Sequence, residues 1–141
     1  MSVYAESSAV LSWLLAEPRA DAVRKSLSEA EVILASELTL IECDRALIKA
    51  VATGRLSEGK AADGHSLLRR ISTHWAILSL DPEIVERARR PFPIEPIRAL
   101  DALHLAYALF ARSLVPEAAL LSLDRRIRET GTALGLEVIP P

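Results

Sequence analysis

The chain reads as an α/β protein: a three-layer α/β/α sandwich around a mostly parallel five-stranded sheet, in one domain over residues 1–141. Three observations predict this. Short, nearly continuous apolar runs occur at residues 2–5, 32–35, 75–80, 118–123 and 136–139, and such runs suit strands covered on both faces, as in parallel sheets. Amphipathic stretches long enough to form crossover helices separate them. Leu and Ala supply 23 and 22 residues against 6 aromatics, a composition for closely packed aliphatic helix faces.

Each element has its own local reason. After the run at 2–5, residues 8–16 carry a helical pattern, and Pro18 can open a second helix that ends near Ser28. Beyond the run at 32–35, residues 37–52 repeat with helical period and stop at Gly54, a C-cap signal. The segment Ser57-Glu58-Gly59-Lys60 starts a helix that reaches about Ser72. Following the third run, Asp81-Pro82 pairs an N-cap carboxylate with proline at the first helical position. Prolines at 91, 93 and 96 forbid regular structure over 89–96. Residues 100–113 are strongly helical, with apolar stripes that cover most of the circumference and predict a largely buried helix. After the fourth run, 124–133 form a helix that stops before Gly135, and 136–139 complete the sheet.

Composition bounds the chemistry. The single cysteine, Cys43, excludes an internal disulfide and a cysteine-based zinc site; it reads as a small buried apolar residue. Asn and Gln are absent, so a polar site must be built from carboxylates, Arg, His, Ser, Thr and backbone. No apolar run approaches the roughly 20 residues of a membrane span, and no basic-then-apolar leader opens the chain, so the expectation is a cytoplasmic protein. No glycine-rich phosphate loop or nucleophile elbow is present. A net charge of −2 argues against bulk nucleic-acid binding unless the acids are clustered.

In open α/β sheets the site lies beyond the carboxyl ends of the strands, where strand order reverses. Glu6 ends the first apolar run and Asp124 the fourth, and either can be a helix cap. Asp101 lies near the start of the apolar helix and shares a narrow polar strip with His104. A carboxylate there is paired, with Arg98 available, or it holds a metal. Glu42 lies on the 37–52 helix, with Arg45 at i+3 as a surface partner. As a set, four hard oxygen donors suit Mg²⁺ or Mn²⁺. Without them the charges that remain, 17 basic and 15 acidic, leave the rest mildly basic. Ser7 and Ser122 are caps or hold a water or phosphate oxygen; His104 is a general acid, a ligand or a partner of Asp101. Arg89, Arg90 and Arg98 bracket the proline-rich stretch, with Phe92 there to stack on an unpaired base.

These segments, in this order, resemble the PIN-domain family, specifically its VapC-type toxins. Tyr4-Ala5-Glu6-Ser7-Ser8-Ala9 is similar to the strand-end motif, with Glu where the family usually has Asp. Ser36-Glu37-Leu38-Thr39-Leu40-Ile41-Glu42 is similar to the second motif, and Arg98-Ala99-Leu100-Asp101-Ala102-Leu103-His104-Leu105-Ala106 to the third. Leu121-Ser122-Leu123-Asp124 resembles the fourth, and Gly135-Leu136-Glu137-Val138 the closing strand. The resemblance implies a metal-dependent endoribonuclease in which Glu6, Glu42, Asp101 and Asp124 hold Mg²⁺ or Mn²⁺ and activate water. It also implies an RNA substrate, often tRNA, a homodimer and a cognate antitoxin. Two alternatives stand beside it: a degenerate PIN module that binds RNA or a protein without cleaving, and an RNA-maturation nuclease outside any toxin pair.

Overall fold

A computed structural model describes all 141 residues. Five strands, β1 (Ser2–Ala5), β2 (Val32–Ser36), β3 (Ala76–Leu78), β4 (Ala118–Leu121) and β5 (Val138–Ile139), form one sheet in the order β3-β2-β1-β4-β5. Every neighbouring pair is parallel. The helices are α1 (Ser7–Leu14), α2 (Ala20–Glu29), α3 (Glu37–Ala52), α4 (Glu58–Ser72), α5 (Pro82–Ala88), α6 (Ala99–Leu114) and α7 (Arg125–Ala133).

Strand alternation builds two cores. Tyr4, Leu34 and Leu120 point to the side covered by Ile84 of α5, Leu105 and Ala106 of α6, and Ile127 of α7. Val3, Ala5, Ala35 and Leu121 point to the opposite side, against Val10 of α1, Val23 of α2, Cys43 of α3 and Leu68 of α4. The result is the expected three-layer sandwich. Strand order reverses between β1 and β4, so the carboxyl ends of these two strands mark the switch point.

Local chemistry sets the boundaries. Ser57 and Asp81 cap α4 and α5 by accepting from the Lys60 and Glu83 amides at 3.1 and 2.9 Å. Gly54 follows α3 with φ of +74°, a left-handed geometry that glycine adopts without a Cβ clash. The outer strands are shorter than their apolar runs. Trp75 is held in the turn that closes α4, its amide bonded to Ser72, and Leu136 is tied back to Gly131 of α7. The α6 helix is also less enclosed than its pattern predicts. Its sheet-facing side is buried, but Leu100 and Leu114 are 49% and 56% exposed. Leu100 joins Ile41 and Ile48 of α3 along an apolar groove on the surface.

Leu105 is fully buried where α6 crosses the sheet. Leu105→Ala is expected to cost about 2–5 kcal/mol, read as a lower urea midpoint with unchanged m-value.

Candidate active site

Glu6 directly follows β1 and occupies the N-cap position of α1, yet its carboxylate caps no helix amide. It turns instead to the switch point. Its Oε2 accepts from Ser122 Oγ at 2.8 Å and from the Ser8 hydroxyl. The side chain is about 5% exposed, and burial pushes the carboxyl pKa above its ordinary range, although the charge of His104 and the serine hydroxyls pull the other way.

Ser8 ties the two central strands together at this point. Its hydroxyl, donating to Glu6, also accepts from the Leu123 and Asp124 amides at 2.9 and 3.0 Å. Asp124 is held just past β4, where its Oδ1 caps α7 by accepting from the Ile127 amide at 3.0 Å. Here the capping reading holds, and it leaves Oδ2 free.

The other two carboxylates come from helices on opposite faces. Glu42, on α3, makes no ion pair with Arg45; its Oε1 accepts from Ser7 Oγ at 2.7 Å and from His104 Nε2. Half-burial raises the Glu42 pKa, but the hydrogen bonds from His104 and Ser7 and the charges of His104 and Arg98 outweigh it and hold the carboxyl below its ordinary range. Asp101, in the first turn of α6, is nearly buried and accepts from Arg98 Nε at 3.3 Å. The expected Arg98 pairing is therefore present.

His104 connects the elements. Its ring is 1% exposed; Nδ1 lies 3.0 Å from Tyr4 Oη, and Nε2 lies 3.0 Å from Ser7 Oγ and 3.9 Å from Glu6 Oε1. Ser7 uses its one proton on Glu42, and an ionised Glu42 has none to give, so Nε2 is a donor. Tyr4, buried, has its phenol pKa pushed well up and stays protonated; it bonds Ser36 Oγ at 3.0 Å. Ser36 caps α3, and Thr39 of α3 donates to the Ala5 carbonyl at 3.0 Å. His104 thus links α6 to β1, α1 and α3. It makes no hydrogen bond with Asp101, so the expected local pairing at i+3 is replaced by long-range ones.

Each of the four carboxylates has one oxygen held by a protein donor and a second with no hydrogen-bond partner in the protein. The only buried side-chain polar atoms without partners are Ser2 Oγ and Ser12 Oγ, so the free carboxylate oxygens reach solvent. This all-oxygen donor set fits a hard divalent cation in its chemistry. The site is not a closed cage: no three His, Cys, Asp or Glu side chains are gathered into a ready ligand cluster.

Residues 3–133 match the family model for the PIN domain. The chain belongs to the PIN-domain family. Two curated PIN relatives run its full length. Ribonuclease VapC46 of Mycobacterium tuberculosis is 33% identical over 140 residues, 99% of this chain and 98% of that protein. Ribonuclease VapC35 of the same species is 33% identical over 141 residues, covering 99% and 96%. Solved structures share the PIN fold at lower identity. The sarcin-ricin loop cleaving toxin VapC20 of M. tuberculosis superimposes with a TM-score of 0.66 at 16% identity, over 99% of both chains. VapBC2 from Rickettsia felis, bound to a promoter DNA fragment, gives 0.67 at 12%, over 99% and 98%.

The geometry corrects the expected base-stacking role of Phe92. That ring is 6% exposed and packed in the α6-side core, with the Arg87 guanidinium over it at 4.2 Å. An irregular segment still buries an aromatic when its neighbours offer an apolar seat. Arg89 and Arg90 are exposed, but Arg90 lies beside Ala106, Leu109 and Ser113, roughly one to three turns along α6 from Asp101. Tyr4, Ser8, Ser36 and Thr39 are parts of the site to which the sequence assigned no role beyond their places in the first strand and the motifs. For Ser8, its place next to Ser7 in the first motif was the available signal.

Glu6 gives a stability test with a defined sign. Its raised folded pKa means the folded state binds more protons, so its contribution to stability falls as pH rises above the ordinary carboxylate range. Glu42 acts oppositely: its contribution is present above that range and is lost as pH falls through its lowered pKa. Glu6→Gln keeps the volume and removes the buried charge. It is expected to raise the melting temperature of metal-free protein by about 3 °C or more at neutral pH, with the gain shrinking toward pH ~4.5.

Proposed function

We propose that this PIN-domain protein is a Mg²⁺- or Mn²⁺-dependent endoribonuclease, the toxin of a toxin-antitoxin pair, working in the cytoplasm. The observation that carries the reading is the set of carboxylates, each with one oxygen anchored and one open: Glu6 and Asp124 just past β1 and β4, Glu42 bonded to Ser7, and Asp101 in the first turn of α6. The full-length relatives named Ribonuclease VapC support RNA as the substrate class. The solved toxin-antitoxin complex from Klebsiella pneumoniae, with a TM-score of 0.64 at 15% identity, shares only the fold; the antitoxin partner and the homodimer are part of the proposal. The apolar groove of Ile41, Ile48 and Leu100 offers a protein partner a surface beside Glu42.

The four carboxylates would hold the divalent ion, which when bound acidifies water and offsets charge on the phosphate. The chain's own residues prepare that site. Ser8 and Ser122 orient Glu6, and Ser7 and His104 orient Glu42, so the open oxygens are positioned before any ligand arrives. Tyr4 fixes the His104 ring from behind. The near-burial of Glu6 and Asp101 keeps bulk water from screening their charges.

Two observations favour the second reading, binding without cleavage: Glu42 is already engaged by His104 and Ser7, and no three ligating side chains are gathered. Cleavage of total RNA decides between the two. The native chain is expected to cut in Mg²⁺ or Mn²⁺ and to stop on chelation. Asp101→Asn and Glu6→Ala are expected to lose at least about a hundredfold in rate, while Glu6→Asp retains measurable activity. A native chain that binds RNA or a partner but cuts in neither metal supports the second reading.

Metal binding has a readout of its own. An ion bound only by the folded state stabilises it by about 2.7 kcal/mol at a hundred times its dissociation constant. Mn²⁺ is therefore expected to raise the melting temperature of the native chain and to do so much less for Asp101→Asn. An equal rise in both would remove Asp101 from the site.

A further inference from the structure

We infer that Tyr4 is a positioning residue for the carboxylate site: through His104 it keeps a proton on Nε2 aimed at Glu42, so that one Glu42 oxygen is fixed before a metal arrives. This rests on the ribonuclease reading above. The Tyr4 hydroxyl lies 3.0 Å from His104 Nδ1 on one side and 3.0 Å from Ser36 Oγ on the other. It makes no hydrogen bond to any of the four carboxylates, so its effect on them passes through the imidazole. Tyr4 and His104 are each 1% exposed, and bulk water cannot replace either bond. Tyr107 stacks on the Tyr4 ring, with centroids 6.2 Å apart and planes 11° from parallel, which holds the phenol at the angle that meets Nδ1.

The protons along this chain have a definite direction. Thr39 gives its hydroxyl proton to the Ala5 carbonyl at 3.0 Å, because a carbonyl only accepts. Ser36 Oγ accepts from the Thr39 amide at 3.1 Å, which leaves its own proton for Tyr4. Tyr4 then donates to Nδ1, and an uncharged ring that accepts at Nδ1 carries its proton on Nε2. In a charged ring the direction reverses: Nδ1 donates to Tyr4, Tyr4 to Ser36, and Ser36 to Thr39 Oγ1 at 3.3 Å. Because each hydroxyl can either give or accept, Nε2 is a donor to Glu42 in both states. The chain also closes on one helix. It starts at Ser36, the cap of α3, crosses β1 and α6, and returns to Glu42 on the second turn of α3. The cap that starts α3 and the carboxylate that α3 presents are thereby tied to one phenol.

The test is Mn²⁺ affinity, read from the electron paramagnetic resonance of free Mn²⁺, in a double-mutant cycle. Tyr4→Phe keeps the ring and removes the hydroxyl, and it is expected to weaken Mn²⁺ binding by about tenfold. His104→Gln keeps an N–H donor of similar reach toward Glu42 and offers Tyr4 no ring nitrogen. Added to His104→Gln, Tyr4→Phe is expected to change the affinity by less than about twofold, since its path to Glu42 is already cut. An equal tenfold loss in both backgrounds would overturn the inference, because a merely structural role for Tyr4 does not depend on His104. In RNA cleavage, Tyr4→Phe should lose rate at limiting Mn²⁺ and regain it in excess Mn²⁺, with KM for RNA unchanged. Imidazole nitrogen NMR of the metal-free native chain gives a second readout that needs no variant at position 4. The His104 resonances, identified by their loss in His104→Gln, should show a protonated Nε2, and a bare Nε2 would overturn the inference. A native chain that binds Mn²⁺ and cuts RNA, with Tyr4→Phe doing both equally well, would overturn the positioning role and leave the ribonuclease reading standing. A native chain that neither binds Mn²⁺ nor cuts RNA would overturn both.

Discussion

A carboxylate buried at the end of the central strand is the constraint on which the rest of this structure depends. Desolvating Glu6 is costly unless donors surround it. The sequence places two hydroxyls, Ser7 and Ser8, close by, and the fold draws in Ser122 and His104. Ser8 and Ser122 are the direct donors, and through them β1 is fastened to β4 where strand order reverses. His104 stands on the other flank and joins α6 to the Tyr4, Ser7 and Glu42 side chains. The polar network therefore holds the upper edge of the sheet together, while the two apolar cores below it set the layers.

This arrangement separates two tasks that one residue seldom does well. Packing stability comes from the aliphatic clusters on each face of the sheet. Burial of Glu6 opposes stability at neutral pH, whereas Glu42, held by His104 and Ser7, contributes to it. Their held oxygens are preorganised by hydroxyl and imidazole donors; their open oxygens face solvent.

The layers, the five strands and nearly every helix were legible in the sequence because their signals are local. Apolar runs, a 3.6-residue period, Asp81 before Pro82 and Ser57 before its helix act within a few residues of themselves. Leu100 and Leu114 went astray for the same reason: periodicity marks a face as apolar without saying whether anything covers it. The four acids, too, could be singled out from strand-end positions and motif order, and Asp81 could be set aside as a cap.

What the acids touch was decided by contacts far apart in the chain. Glu6 meets Ser122 across 116 residues, and His104 reaches Ser7 across 97 and Glu42 across 62. No local pattern distinguishes a capping Glu6 from a buried one, or sends His104 away from Asp101. Arg98 beside Asp101 was readable because three residues on a helix are neighbours; Arg128 against Ser122 and Phe92 inside the core were not. The sequence by itself determined which residues could form strands, helices and acidic strand ends, since those properties belong to short segments. Only the tertiary structure decided which oxygens are held, which are open and which arginines stand beside them, because hydrogen-bond partners are chosen by the packing of distant elements.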